Sequence, residues 1–223
     1  MTRVEVNEIH CPKCGGVSEY RSYSSVNAQI SPDLAEKLID GSLFDFVCPE
    51  CKNKMTVFYS CLYNDMNAGM MIQLVSKGGE REVIEFLESM ADDELLGSIA
   101  GMSTHRIVFS QNELREKALL LRDGFDDGIM EILKILVKHM ATDNGMIRGD
   151  ERLLYGSAGE DAIEVDIVTD ELGYQGSLSV PMAVYNKIAQ DLGENFGRDA
   201  GYFVDEAWAY EVLAKESVRE EQP

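Results

Sequence analysis

The sequence predicts an α+β protein in two modules, and three observations carry that prediction. Two C-P-x-C pairs, Cys11-Pro12-Lys13-Cys14 and Cys48-Pro49-Glu50-Cys51, sit among alternating, strand-like segments in the first third of the chain. Beyond them apolar residues recur at helical as well as at strand spacing. Charge divides the same way: residues 1–78 hold seven basic and nine acidic side chains, whereas residues 79–223 hold thirteen and thirty-one, a net of −18. Lys77-Gly78-Gly79-Glu80 marks the change in composition. The expected modules are therefore residues 1–78 and 79–223.

In the first module Val4–His10 alternates like a half-buried strand, and Val17–Ile30 is a polar extended stretch rich in Ser and Tyr. Ser31-Pro32-Asp33 opens a helix, with Ser as N-cap, Pro at N1 and an acid in the first turn. Leu34, Leu38 and Ile39 supply its apolar face and Gly41 ends it. Phe44–Val47 leads into the second cysteine pair. Lys54–Tyr63 then alternates without a break: Met55, Val57, Tyr59, Cys61 and Tyr63 share one face, Phe58 and Leu62 the other. Asn64–Gly69 is a turn, and Met70–Val75 returns as the second strand of a hairpin.

Two residues between cysteines make a tight knuckle whose backbone N–H groups point at sulfur, and Pro12 and Pro49 fix its first φ. Gly15 supplies the positive φ that comes after the second cysteine of the first knuckle. In the second knuckle Lys52 stands there, and Asn53 is the next residue suited to that conformation. Cys11, Cys14, Cys48 and Cys51 together complete a tetrahedron of thiolates with no open position. The expectation is a structural Zn2+ in a zinc-ribbon-like β module, with the inserted helix accounting for the 33 residues between the pairs. The competing reading is a redox pair or a thiol switch that releases metal. Gly15-Gly16 suits a knuckle better than the helix start of a redox pair. His10 adjoins Cys11 as an alternate ligand but, with four thiolates at hand, reads as a strand residue, and Cys61 reads as a buried core thiol.

These residues resemble the CpXC-domain family, bacterial and archaeal proteins named for two such cysteine pairs. The likeness rests on Cys11-Pro12-x-Cys14 and Cys48-Pro49-x-Cys51, and on Val26-Asn27, Ser31-Pro32 and Gly41-Ser42-Leu43-Phe44 between them. Leu62-Tyr63-Asn64-Asp65-Met66 in the hairpin extends it. Arg106-Ile107-Val108-Phe109-Ser110, Leu114-Arg115-Glu116-Lys117 and Phe125–Glu131 resemble segments C-terminal to the domain in some members. The resemblance implies a fold and a metal held by the four cysteines. It brings no activity with it.

The second module is expected to be an acidic α+β domain. Val83, Ile84, Phe86 and Leu87 recur at helical spacing in Glu82–Met90, and Thr104–Phe109 reads as a short strand. Ser110-Gln111-Asn112-Glu113 is a capping box for a helix that Gly124 breaks. Asp126 and Asp127 start another, whose Ile129, Ile132, Leu133, Leu136 and Val137 form an apolar stripe, and the two helices are expected to pair antiparallel, the alternative being a partner-binding surface. Ala162–Thr169 and Tyr174–Val180 alternate as strands joined by Asp170-Glu171-Leu172-Gly173. Pro181–Leu192 is a helix ended by Gly193, Tyr202–Val204 a short strand, and Asp205 the cap of a last helix holding Trp208. Gly156-Ser157-Ala158-Gly159 reads as a loop.

Function classes narrow on composition. With 20 basic against 40 acidic residues the net charge is −20, yet 45% hydrophobic content is that of a globular chain rather than a disordered acidic tail. The charge argues against nucleic acid and anionic lipid, although Lys13, Lys52 and Lys54 gather near the knuckles. No stretch approaches the ~18 consecutive apolar residues of a membrane span. Met1–Glu8 has no apolar signal-peptide core, so a cytoplasmic protein with reduced thiols is expected. Phosphate-loop, dinucleotide, nucleophile-elbow and H-E-x-x-H motifs are absent. His105 and His139 read as structural. Asp123, Asp126, Asp127 and Glu131 form the densest carboxylate set, better explained by acids favouring a helix N-terminus than by a cation. The leading expectation is a protein-interaction or assembly role, its partner another protein or a second copy. An enzyme with its site in the acidic module is the alternative, ahead of a nucleic-acid-binding ribbon and a zinc–thiol redox sensor.

Overall fold

Val4 to His10 pair in register with Tyr23 to Val17, so the first cysteine knuckle closes a hairpin of β1 (Arg3–His10) and β2 (Val17–Asn27). This is seen in a computed structural model, which describes residues 2–91, 103–169, 173–193, 196–198 and 200–220. The second knuckle closes a shorter hairpin of β3 (Asp45–Val47) and β4 (Lys54–Thr56). Between the two lies α1 (Pro32–Asp40), ended by Gly41 at φ +86 as its sequence requires. Ser31 takes the N-cap position, but its hydroxyl bonds Thr2 Oγ1 at 2.8 Å instead of capping the helix. Asn27 Oδ1 shapes the approach, accepting from the N–H groups of Gln29 and Ile30.

β5 (Cys61–Asp65) and β6 (Met70–Leu74) form the expected hairpin, and the five strands run in the order β1-β2-β5-β6-β7, β7 being Thr104–Val108. β5 lies parallel to β2, and β7 parallel to β6. The unbroken alternation of Lys54–Tyr63 therefore serves two strands in two sheets. At residue 57 the backbone leaves the first ladder, its N–H donating to Phe44 O at 2.8 Å and its carbonyl accepting from Gln111 Nε2 at 2.8 Å. The chain divides into two units, Met1–Ala118 and Leu119–Pro223. The boundary expected at residue 78 falls inside the first, because β7 lies beyond it and still adds a strand to β6. α2 (Glu80–Ala91) comes after β6, and α3 (Gln111–Arg122) opens with the expected capping box: Ser110 Oγ accepts from Glu113 N, and Glu113 Oε2 from Ser110 N.

In the second unit α4 (Asp127–Asp143) is capped by Asp126, whose carboxylate accepts from Ile129 N at 3.0 Å. Every residue from Asp127 to Ile135 is buried, so the first half of the helix is enclosed rather than striped, and its ion pair Glu131–Lys134 is made inside at 3.0 Å. Leu136, expected within the stripe, is 39% exposed. α4 packs on α5 (Met182–Leu192), α6 (Glu206–Glu220) and β8 (Arg152–Ala158), and Leu119 and Leu120 of α3 join the same buried cluster. Gly128 permits this closeness, since a Cβ there would lie 2.6 Å from Gly197 Cα and 2.9 Å from Trp208 Cη2.

β8, β9 (Ala162–Thr169) and β10 (Gly173–Pro181) form an antiparallel sheet in the order β10-β9-β8. The Gly156–Ala158 stretch is thus strand, not loop; Gly156 leaves room for the Asp166 carboxylate, which a Cβ would meet at 2.6 Å. Of the turn between β9 and β10, Asp170–Leu172 lie outside the described residues. Tyr202–Val204 forms no strand, and its apolar character is used by burial of Val204. Asp205 caps α6 by accepting from Trp208 N at 2.9 Å. Among the described residues no helix is long and apolar enough to cross a membrane.

Candidate metal centre

Both knuckles are built on one backbone pattern. In the first, Cys11 N–H donates to Gly16 O and Gly15 N–H to Cys11 O, each at 2.9 Å. In the second, Cys48 N–H donates to Asn53 O at 2.9 Å and Lys52 N–H to Cys48 O at 3.0 Å. The residue after each second cysteine is left-handed, Gly15 at φ +74 and Lys52 at φ +58. Lys52 itself takes the conformation expected of Asn53, because the turn's hydrogen bond is made by its own N–H. Its Nζ reaches back to Pro49 O at 2.9 Å.

The two hairpins bring the pairs together crosswise. Cys11 Sγ lies 3.6 Å from Cys51 Sγ and Cys14 Sγ lies 3.7 Å from Cys48 Sγ, with all four sulfurs within 4.8 Å of one another. A disulfide would need about 2.05 Å. A tetrahedron with metal–sulfur bonds of about 2.3 Å has edges of about 3.8 Å. The cluster has the dimensions of the second. Cys11 and Cys48 are buried, Cys51 is half-buried and Cys14 is exposed.

Electrostatics point the same way. The Cys14 backbone N–H, aided by that of Lys13, outweighs burial and lowers the Cys11 thiol to about 7. For Cys14 the Gly16 N–H also acts downward, but the sulfurs of Cys51, Cys11 and Cys48, together with burial, push it up to about 12. Tyr20, Phe46 and Cys48 form the small core around Cys11, with Ile9, Met55, Val57 and Tyr59 packed on it. Tyr20 and Tyr59 both donate to Leu43 O, at 3.4 and 3.2 Å, and burial pushes both phenols up.

The other candidates resolve into structural roles. His10 is an exposed strand residue opposite Val17 and lies outside the cluster. Cys61 is fully buried in β5, where burial raises its thiol to about 12. His139 is exposed and bonds Tyr210 Oη at 3.2 Å, while His105 lies in β7, opposite Met71. The carboxylate set does not converge on a cation. Asp123 accepts from Tyr155 Oη at 2.7 Å, Asp126 from Ile129 N and Gly197 N, and Glu131 from Lys134. Burial raises Asp126, against the pull of those N–H groups. One residue escaped the sequence reading: Glu50, whose Oε2 accepts from Cys14 Sγ at 3.8 Å. Its only signal was its place between the two cysteines of a knuckle.

Two β-hairpins presenting four cysteines that can hold one metal ion, beside a mixed sheet and helices, define an α+β protein with a zinc-ribbon-like module. The chain matches the CpXC protein family over residues 9–134, more than half its length, and belongs to it. That match spans both knuckles, the hairpin, and the Arg106–Lys117 and Phe125–Glu131 segments, and stops before β8. Comparison with curated proteins finds no match, and comparison with solved structures finds none either.

Proposed function

We propose that Cys11, Cys14, Cys48 and Cys51 hold one structural Zn2+, and that the chain is a cytoplasmic protein-interaction or assembly module. The observation that carries the metal is the set of crosswise sulfur distances, 3.6 and 3.7 Å, which suit a tetrahedral ion of zinc's size. All four donors are thiols, which select zinc over hard cations and leave no position for a reacting water. The ion's chemistry here is therefore cross-linking. The interaction role is supported by the outer face of the β1–β2 hairpin, where Val4, Val6 and Val17 are each about half exposed. The net charge of −20 sets this reading apart from nucleic-acid binding.

Elemental analysis combined with native mass tests both halves. One zinc per chain is expected, with a mass above that of a single chain or a co-eluting protein, either lost on Val4→Ser/Val6→Ser. A metal-free chain overturns the first half. A monomer that co-elutes with nothing overturns the second.

A second reading, an enzyme or ligand binder in the acidic unit, is supported by a cavity of about 470 Å³ there. Arg148, Asp150, Glu151, Arg152, Thr169 and Gln175 supply its polar lining. Cavities of that size hold small molecules. Thermal stabilisation by any of a panel of small anionic metabolites, abolished by Arg148→Ala, would favour it; a flat panel would remove it.

A further inference from the structure

The two knuckles share a backbone but differ in the residue between their cysteines: Lys13 in the first, Glu50 in the second. Glu50 does not point away from the centre. Its carboxylate crosses to the first knuckle, where Oε2 accepts from Cys14 Sγ at 3.8 Å. It also covers Gly16, and any Cβ at that position would meet Glu50 Oε2. The glycine thus leaves the space in which the carboxylate rests beside the sulfur. Cys14 is in addition the exposed member of the set, whereas Cys11 and Cys48 are buried.

The geometry points to Glu50 as a positioning residue that makes Cys14 the exchangeable corner of the metal centre; this rests on the tetrathiolate zinc reading above. The carboxylate and a metal-bound Cys14 sulfur at that separation carry like charges. Four thiolates around a divalent ion already leave the centre at −2, so an adjacent carboxylate opposes the closed state and does so at one corner. A carboxylate oxygen is also a zinc donor in its own right. Glu50 therefore weakens the hold on Cys14 and stands beside the corner that Cys14 vacates. Metal entry and loss run through that corner, on the solvent side, while the buried sulfurs keep the fold.

The test tracks metal transfer from the Zn2+- or Co2+-loaded full chain to a chromophoric chelator. Glu50→Gln, which keeps shape and removes charge, is expected to slow release roughly tenfold, within the range by which residues around metal ligands tune affinity. Cys14→Ser is expected to retain Co2+ with a spectrum of three thiolates and oxygen, and to lose it when Glu50→Gln is added. Cys48→Ser is expected to lose metal outright. Release from Glu50→Gln at the wild-type rate, or a Cys14→Ser chain as empty as Cys48→Ser, overturns the assignment. A wild-type chain that takes up neither ion overturns the zinc reading first and the role of Glu50 with it.

Discussion

Two of the buried clusters among the described residues hold together on different terms. Around the knuckles the buried set is Cys11, Tyr20, Phe46 and Cys48, so half of it is sulfur. In the second unit Ile129, Met130, Ile132 and Leu133 of α4 pack with Leu153, Tyr155, Ile163 and Val165 of the sheet, and the Phe125 ring lies tilted against Tyr155 at 5.6 Å and edge-to-face with Tyr185 at 5.0 Å. The first core belongs to two short hairpins, too small to exclude much water by apolar area. On the zinc reading proposed above, a cross-link through an ion does for it what side-chain volume does for the second. Dependence on metal should therefore be local.

The largest expected effect breaks that comparison outright if it is wrong. Chelation, or Cys48→Ser, removes a cross-link that in small zinc domains is worth on the order of 10–16 kcal/mol. Amide hydrogen exchange is expected to accelerate at Cys11, Gly15, Cys48 and Lys52, whose N–H groups bond only within the knuckles. The amides of α4 and β9 should keep their protection. If they lose it together with the knuckles, the two cores are not independent in this sense.

Next comes a cavity in the second core. Leu133 is completely buried on α4, and Leu133→Ala removes its contacts without a polar penalty. A loss of about 2–5 kcal/mol is expected in urea unfolding of the second unit, with bound metal per chain unchanged. A metal content that falls in step with stability would contradict the division of labour.

How much of this was legible beforehand depends on the range of the interactions. The knuckles, the capping box at Ser110–Glu113 and the caps at Asp126 and Asp205 are closed by residues within a few positions of each other, and they appear where the sequence places them. The crosswise meeting of Cys11 with Cys51 needed only that two hairpins face each other. What escaped depends on distant partners. Lys54–Tyr63 alternates throughout, and nothing local says that Met55 pairs with Phe46 while Leu62 lies beside Ser25. Gly156 looks like loop glycine until Asp166 is seen to need its space. β7 joins the first sheet from beyond the change in composition, because pairing with β6 obeys apolar pattern and not charge. Glu50 was hidden for a like reason, since its target is on the other knuckle.

A smaller effect sharpens the account of the second core. Gly128→Ala sets a methyl against Gly197 Cα and the Trp208 ring, and backbone on the Gly197 side cannot swing aside as a side chain would. A cost of about 1–3 kcal/mol is expected. Trp208 is the single tryptophan, so its emission reports the shift directly and should move to longer wavelength as α6 is pushed out. Unchanged emission with unchanged stability would mean that the approach of α4 to α6 is looser than the geometry indicates.

The smallest effect returns to the first core and compares its two knuckles with each other. Gly15 adopts φ +74 freely, whereas Lys52 holds φ +58 with a Cβ, a conformation that costs an L residue roughly 1 kcal/mol or more. Lys52→Gly relieves that strain, but it gives up the exposed Nζ bond to Pro49 O and loosens the unfolded chain. These terms nearly cancel, leaving an expected gain of about 0.5 kcal/mol in the metal-loaded chain. Gly15→Lys imposes the strain without the returning bond and should lose about 1 kcal/mol. Opposite signs for the two substitutions, read from urea midpoints at saturating zinc, would show that the knuckles are one backbone solution met by different residues. A loss from Lys52→Gly as large as that from Gly15→Lys would show instead that the lysine side chain holds the second knuckle in shape.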